Sequence, residues 1–210
     1  MIDVLIPVKK HSRRIPNKNF RMLGDKPLYR YILDTLEASK YISDVYIDTD
    51  YREGLDVSSG IIIDRPRHLC GDIVSVNKLI EYDLSKMKSD IILQTHVTNP
   101  FLSTKTIDKC IEYFVRNNLD SLFTVTEHYE RFWTKEGVPV NHDPGKLKRT
   151  QELSPLLSDN SCIYLFTRQF FDRNKSRVNT DSDMYIIPEG EALDIDTMFN
   201  WRVAECLVRQ

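Results

Sequence analysis

No run of eighteen apolar residues occurs in the 210-residue chain, so no membrane-spanning helix is expected. The first residues enter an apolar segment at once. They carry neither a charged leader nor a small-residue cleavage site, so they read as a first strand and not as a signal peptide. The four cysteines, Cys70, Cys110, Cys162 and Cys206, form no Cys-x-x-Cys pair and lack metal-ligand spacing. Reduced core thiols in a cytoplasmic protein are therefore expected. The Gly-x-x-x-x-Gly-Lys-Ser/Thr arrangement is missing, which argues against a P-loop NTPase. A Ser–His–Asp or Cys–His constellation is missing too, so no protein nucleophile is expected. The net charge of −2 gives no global reason for a nucleic acid or an anionic membrane as partner. Internal repeats, low-complexity tracts and linkers are also lacking, and residues 1–210 are expected to fold as a single domain.

What is present fits an ordinary globular protein, with 41% hydrophobic and 29% charged residues. Short apolar runs at 2–8, 45–47, 61–63, 91–93, 122–125, 163–166 and 184–187 are expected to be strands. Helical spacing marks residues 27–40, 75–87, 104–117, a short piece near Gln169, and a last helix from Met198 to the C-terminus. Strands alternating with helices imply an α/β fold: a Rossmann-like, mostly parallel sheet with helices on both faces. The alternation breaks at 127–159, where aromatic, Pro, Asn and Gly residues suggest short strands or long loops. A small subdomain inserted at about 127–180 is expected on that ground.

Charge is uneven along the chain. Between Lys9 and Arg30 there are eight Lys or Arg residues and one acid, Asp25. This segment follows the first expected strand, and open α/β sheets bind ligands at the C-terminal ends of their strands. The densest part, Lys9-Lys10-His11-Ser12-Arg13-Arg14, could hold an anion such as a triphosphate, while Pro16 restricts the loop. A solvated basic loop is the plain alternative. Near the other end stands Asp194-Ile195-Asp196. Alternate residues of an extended segment point the same way, so both carboxylates can face one Mg²⁺, and capping of the last helix is the competing role.

The stretch Ile6-Pro7-Val8-Lys9-Lys10-His11-Ser12-Arg13-Arg14-Ile15-Pro16-Asn17-Lys18-Asn19 resembles the signature of the acylneuraminate cytidylyltransferase family. Glu191 to Asp196, followed by Trp201-Arg202-Val203-Ala204-Glu205, resembles that family's closing motif. The resemblance implies that Lys9, Ser12, Arg13, Lys18 and Asn19 bind a nucleotide and that Asp194 and Asp196 bind magnesium. Lys9, Arg13, Lys18, Asp194 and Asp196 become the catalytic set. Two residues depart from the pattern: the family's Arg is Lys9 here, and its Gly is His11.

Middle motifs extend the resemblance. Asp64-Arg65-Pro66-Arg67-His68-Leu69 with Gly71-Asp72 is similar to the family's Arg-Pro-x-x-Leu-x-x-Asp segment. It implies Arg65 and Asp72 as ligand-site residues, with Asp72 near the ribose or base. For Arg65, an ion pair with Asp64 or Asp72 is the structural alternative. Gln94 matches the family position that contacts the sugar acid. Asp48-Thr49-Asp50 resembles a Ser-Thr-Asp that shapes the nucleotide pocket, or is a strand-ending turn. Ser158-Asp159-Asn160-Ser161 stands where many relatives have Arg-Pro-Asn-Gly. Asn160 is thus implied in the sugar site, and the missing Arg leaves Arg131 or Arg149 as candidate carboxylate partner. The implied reaction is attack by the anomeric hydroxyl of a sialic-acid-like acid on the α-phosphate of CTP, in a homodimer built through the insertion. The alternatives are a different carboxylated, phosphorylated or phosphonate acceptor, or a catalytically silent nucleotide-binding subunit.

Overall fold

The computed structural model describes residues 2–57, 60–71 and 73–209. In chain order its strands and α-helices are β1 (Ile2–Val8), β2 (Met22–Leu23), β3 (Lys26–Pro27), α1 (Leu28–Glu37), β4 (Ile42–Thr49), β5 (Ile61–Asp64), α2 (Val76–Leu84), β6 (Ile91–Gln94), α3 (Thr104–Arg116), β7 (Ser121–His128), β8 (Leu156–Thr167), α4 (Arg168–Asn174), β9 (Asp183–Ile186) and α5 (Met198–Val208). The expected helices are all there, with shorter ends. Ser75, Ser103 and Thr197 set three of the starts by accepting a backbone N–H from Asn77, Thr106 and Asn200.

β1 explains the layering. Its apolar run, broken only by Asp3, is what a strand covered on both faces requires. Ile2, Val4, Ile6 and Val8 join one buried cluster with Ile32, Leu33 and Leu36 of α1 and Ile107, Ile111 and Phe114 of α3. Leu5, pointing the other way, joins Ile80 and Leu84 of α2 and Phe170 and Phe171 of α4. Helices therefore cover both faces.

The main sheet has seven strands in the order β5-β4-β1-β6-β8-β7-β9. β1 pairs parallel with β4 and β6, β4 with β5, and β7 with β9. β8 runs antiparallel to both of its neighbours. The C-terminal ends of β1, β4, β5 and β6 thus open on one edge, where the crevice lies.

β8 and α4 were expected within the insertion, yet they build the main sheet and its cover. The stretch outside the sheet narrows to residues 129–155, whose only strand-like feature among the described residues is a bridge between Trp133 and Pro139. β8 reads poorly from sequence because its first half is polar and largely exposed. No helix among the described residues is long and apolar enough to cross a membrane.

Candidate active site

The chain leaves β1 at Val8 and forms a cationic loop over residues 9–17. Ile15 anchors it, fully buried against Ile195 and Trp201 in a third apolar cluster with Leu23, Leu28 and Ala204. Asn17 takes a left-handed conformation (φ 54°) and starts a single 3₁₀ turn, Lys18–Phe20. The Asn19 amide closes the loop by donating to the Lys9 carbonyl at 2.9 Å. A second tie comes from the Lys10 backbone N–H, which donates to Asp50 Oδ1 at 2.7 Å. Asp48-Thr49-Asp50 serves as the strand-ending turn: Thr49 Oγ1 accepts from the Tyr51 N–H, while Asp50 holds the cationic loop.

The tail of the chain returns to this loop. The Lys18 ammonium donates to the Ile195 carbonyl at 2.6 Å and to Asp196 Oδ1 at 3.0 Å. Arg14 pairs with the other oxygen of Asp196 at 2.9 Å. The Ile195 N–H donates to the Thr98 carbonyl at 2.8 Å, which ties the tail to the segment after β6. Burial works to raise the Asp196 carboxyl, but Lys18 and then Arg14 hold it below the usual range. Asp194 behaves in the opposite way: burial first, and the Asp196 charge next, push it up against a hydrogen bond with Thr98. One buried oxygen of Asp194 has no hydrogen-bond partner among the described residues.

Around this junction lies a cavity of about 600 Å³, a size that suits a small-molecule ligand. Lys9, Ser12, Arg13, Arg14, Lys18 and Asn19 line it together with Arg65, His96, Thr98 and Asp196. Burial, with the Arg177 and Lys18 charges, pulls the His96 imidazole down to about 4, so it is neutral at pH 7.

The cytidylyltransferase family profile matches residues 4–186 of the chain, most of its length. The chain belongs to the cytidylyltransferase family. Its reaction class is transfer of a cytidylyl group from CTP. It is 24% identical to the pseudaminic acid cytidylyltransferase of Campylobacter jejuni over 98% of this chain and 95% of that protein. It is also 24% identical to N-acylneuraminate cytidylyltransferase A of Danio rerio, over 97% of this chain and 50% of that protein, so it spans about half the length of that relative. Its fold is similar to that of a CMP:2-keto-3-deoxy-manno-octonic acid synthetase solved with CTP, with a TM-score of 0.74, 13% identity, and 100% and 98% of the two chains covered.

Of the residues singled out from sequence, seven share the cavity: Lys9, Ser12, Arg13, Lys18, Asn19, Arg65 and Asp196. Asp194 sits behind Asp196, in electrostatic reach of it. Asp72 lies outside the described residues. Arg65 lines the cavity, and it does not pair with Asp64. Its guanidinium is committed to the fully buried Asp48 at 2.7 and 2.9 Å, while Asp64 takes Arg52. Adjacent parallel strands bring Arg65 and Asp48 together, an adjacency local sequence does not display.

The acceptor candidates scatter. Arg131 and Arg149 lie exposed on the 129–155 arm, and Arg131 donates to the Lys148 carbonyl. Neither lines the cavity. Asn160 is taken up in a strand irregularity: its Oδ1 accepts from Thr124 at 2.7 Å and its Nδ2 donates to Thr126 at 3.0 Å. Gln94 is fully buried, and its Oε1 accepts from Arg177 at 2.6 Å. His142, beside Asp143, packs edge-on against Trp133 at 4.8 Å, and Asp143 accepts from the Gly145 N–H, so the two serve the arm. Sequence reasoning missed Arg177 and the part Arg14 plays on Asp196. Arg14 was legible as part of the cationic run; Arg177 stands in a loop with no period or motif.

Proposed function

We propose that the chain transfers CMP from CTP to the anomeric hydroxyl of a sialic-acid-like (nonulosonic) sugar acid and releases pyrophosphate. The observation that carries this reading is the meeting of the cationic loop with Asp194 and Asp196 over one cavity. The named activities of the relatives support a sugar acid as acceptor. In this reading Lys9, Ser12, Arg13, Lys18 and Asn19 hold the triphosphate, and the cations among them offset the charge that grows on the phosphates. The acceptor oxygen bonds to the α-phosphorus as the bond to the β-phosphate oxygen breaks. Pyrophosphate departs, and the hydroxyl proton goes to solvent.

Asp194 and Asp196 fit a hard cation. Two carboxylates repel each other across a partly buried site, and one has an orphaned oxygen. They would hold Mg²⁺, which supplies positive charge beside the transferring phosphate. Arg14 and Lys18 hold Asp196 in place beside the cationic loop.

We also place the protein in the cytoplasm as a homodimer joined through the insertion. Exposed Trp133, Val138, Val140 and Leu147 on the arm support such an interface. Light scattering on the purified chain checks the dimer.

Pyrophosphate release tests the function, using CTP, Mg²⁺ and each of N-acetylneuraminic acid, pseudaminic acid and 2-keto-3-deoxy-manno-octonic acid. Release that depends on CTP, metal and one acid is expected. CTP binding without release on any of them would overturn the reading.

A further inference from the structure

The acceptor proposed above carries a carboxylate next to its reacting hydroxyl, and neither exposed arginine of the arm stands at the cavity. A different arginine, Arg177, lies in electrostatic reach of His96, which lines the cavity. Arg177 comes from the loop between α4 and β9. The loop is pinned: Ser121 Oγ donates to the Arg177 carbonyl at 2.8 Å, and the Asn179 N–H donates to Ser182 Oγ at 2.9 Å. From there the guanidinium reaches inward. One arm donates to Gln94 Oε1 at 2.6 Å, and the guanidinium carbon lies 3.5 Å from the centre of the Tyr164 ring. Tyr164 is itself oriented, since its hydroxyl donates to the Asp159 carboxylate at 2.9 Å. Gln94 and Tyr164 face each other across the β6–β8 ladder, so two sheet residues fix the guanidinium plane.

Arg177 makes no ion pair with any described residue. Gln94 spends its oxygen on Arg177 and leaves its own buried Nε2 without an acceptor. A partly buried cation beside an unspent amide donor is an arrangement lacking one anionic acceptor. His96 marks where that acceptor belongs. Its ring lines the cavity, lies 6.4 Å from the Tyr164 ring, and is within electrostatic reach of Arg177 as well as of Lys18 and Asp196. Arg177 and Lys18 thus both act on one ring at the cavity.

We propose that Arg177 binds the carboxylate of the sugar acid through its guanidinium, held in place by Gln94 and Tyr164, and so determines that the acceptor is an acid. The inference rests on the cytidylyltransferase reading with a sugar acid acceptor. It replaces Arg131 and Arg149 with a residue whose plane is fixed before substrate arrives, which favours two-pronged recognition of a carboxylate.

The test compares each of the three acids with its neutral C1 amide in the pyrophosphate assay. Wild-type protein is expected to favour the acid, and Arg177→Leu to lose about 100-fold in kcat/KM on the acid while changing little on the amide. The KM for CTP should stay within about twofold. Equal losses on acid and amide, or intact discrimination, would overturn the proposal. Should the Leu variant fail to bind CTP, Arg177→Lys decides. It keeps a charge without the fork, so discrimination should fall about tenfold, and unchanged discrimination counts against the proposal. No release by wild type on any acid removes both the sugar-acid reading and this inference. Release with variants that still discriminate removes the inference alone.

Discussion

Lys18 and Asp196 are joined at 3.0 Å across 178 residues of sequence. The lysine side chain is only 10% exposed, and its ammonium also donates to the Ile195 carbonyl. One buried cation thus sets both the position and the ionisation of a carboxylate at the cavity, and the two most recognisable segments of the chain meet at it.

Lys18→Met keeps the apolar stem and removes the clasp. Pyrophosphate release should fall at least about 100-fold, the range for loss of a preorganised charge at a reacting phosphate. The Asp196 carboxyl should rise, since Lys18 is foremost among the groups holding it down. The Lys18 contribution to stability is present when Asp196 is ionised and fades as pH falls through its lowered value. The melting difference between variant and wild type should therefore shrink below about pH 4. A difference that grows on acidification would contradict the pairing.

Asp194→Asn removes a carboxylate that burial and Asp196 both disfavour. The fold should lose nothing, and its melting temperature should stay level or rise. Turnover should drop below about 1% of wild type, with the Mg²⁺ dependence of CTP binding weakened. Full activity would remove Asp194 from the metal site.

Asp83 is a separate case, buried behind the cavity with neither oxygen hydrogen-bonded among the described residues. Burial, with Asp48 adding to it, raises its carboxyl to about 8. It is protonated in the fold at neutral pH, whereas the unfolded chain ionises near pH 4. Its cost is absent below about pH 4, grows as pH rises, and is complete above the folded value. Asp83→Asn should melt close to wild type at pH 4.5 and about 5–10 °C higher at pH 8.5. Calorimetry at the two pH values reads the difference directly.

Ser161 sits in β8 with φ 58°, in the left-handed region that costs an L-residue energy. Ser161→Gly should relieve that cost and stabilise the protein by about 0.5–1 kcal/mol. The Tyr164 hydroxyl loses its contact with Ser161 but keeps Asp159. Denaturant melts check the sign, and a destabilised variant would mean that the serine hydroxyl outweighs the strain.

Legibility tracked the range over which contacts form. β1 was readable because a strand buried on both faces is apolar at every position but one, Asp3. The cationic loop and the Asp-x-Asp tail were readable because each keeps its chemistry within a few residues, although nothing local shows that they touch. The antiparallel run of β8 was invisible, since an apolar stretch such as Cys162 to Phe166 looks the same in either direction. Its polar first half resembled a loop. Arg65 has Asp64 beside it in sequence, but the β4–β5 pairing hands it to Asp48. Arg177 reaches Gln94 across 83 residues from an irregular loop, and no period marks such a side chain.

β8 also has a mechanical side. It has twelve residues, and its pairing with β6 ends at Tyr164 opposite Gln94. Beyond that point Leu156–Asp159 pair with Val125–His128, as a two-stranded ribbon that carries the arm. The ribbon is a cantilever, rooted beside Tyr164 and loaded at its tip. A force on the arm would reach the root, where Asp159 orients the ring beneath Arg177, while Lys18 and the cationic loop follow a different strand, β1. Load on the arm would thus bear on Tyr164 and Arg177 before it reaches the cationic loop.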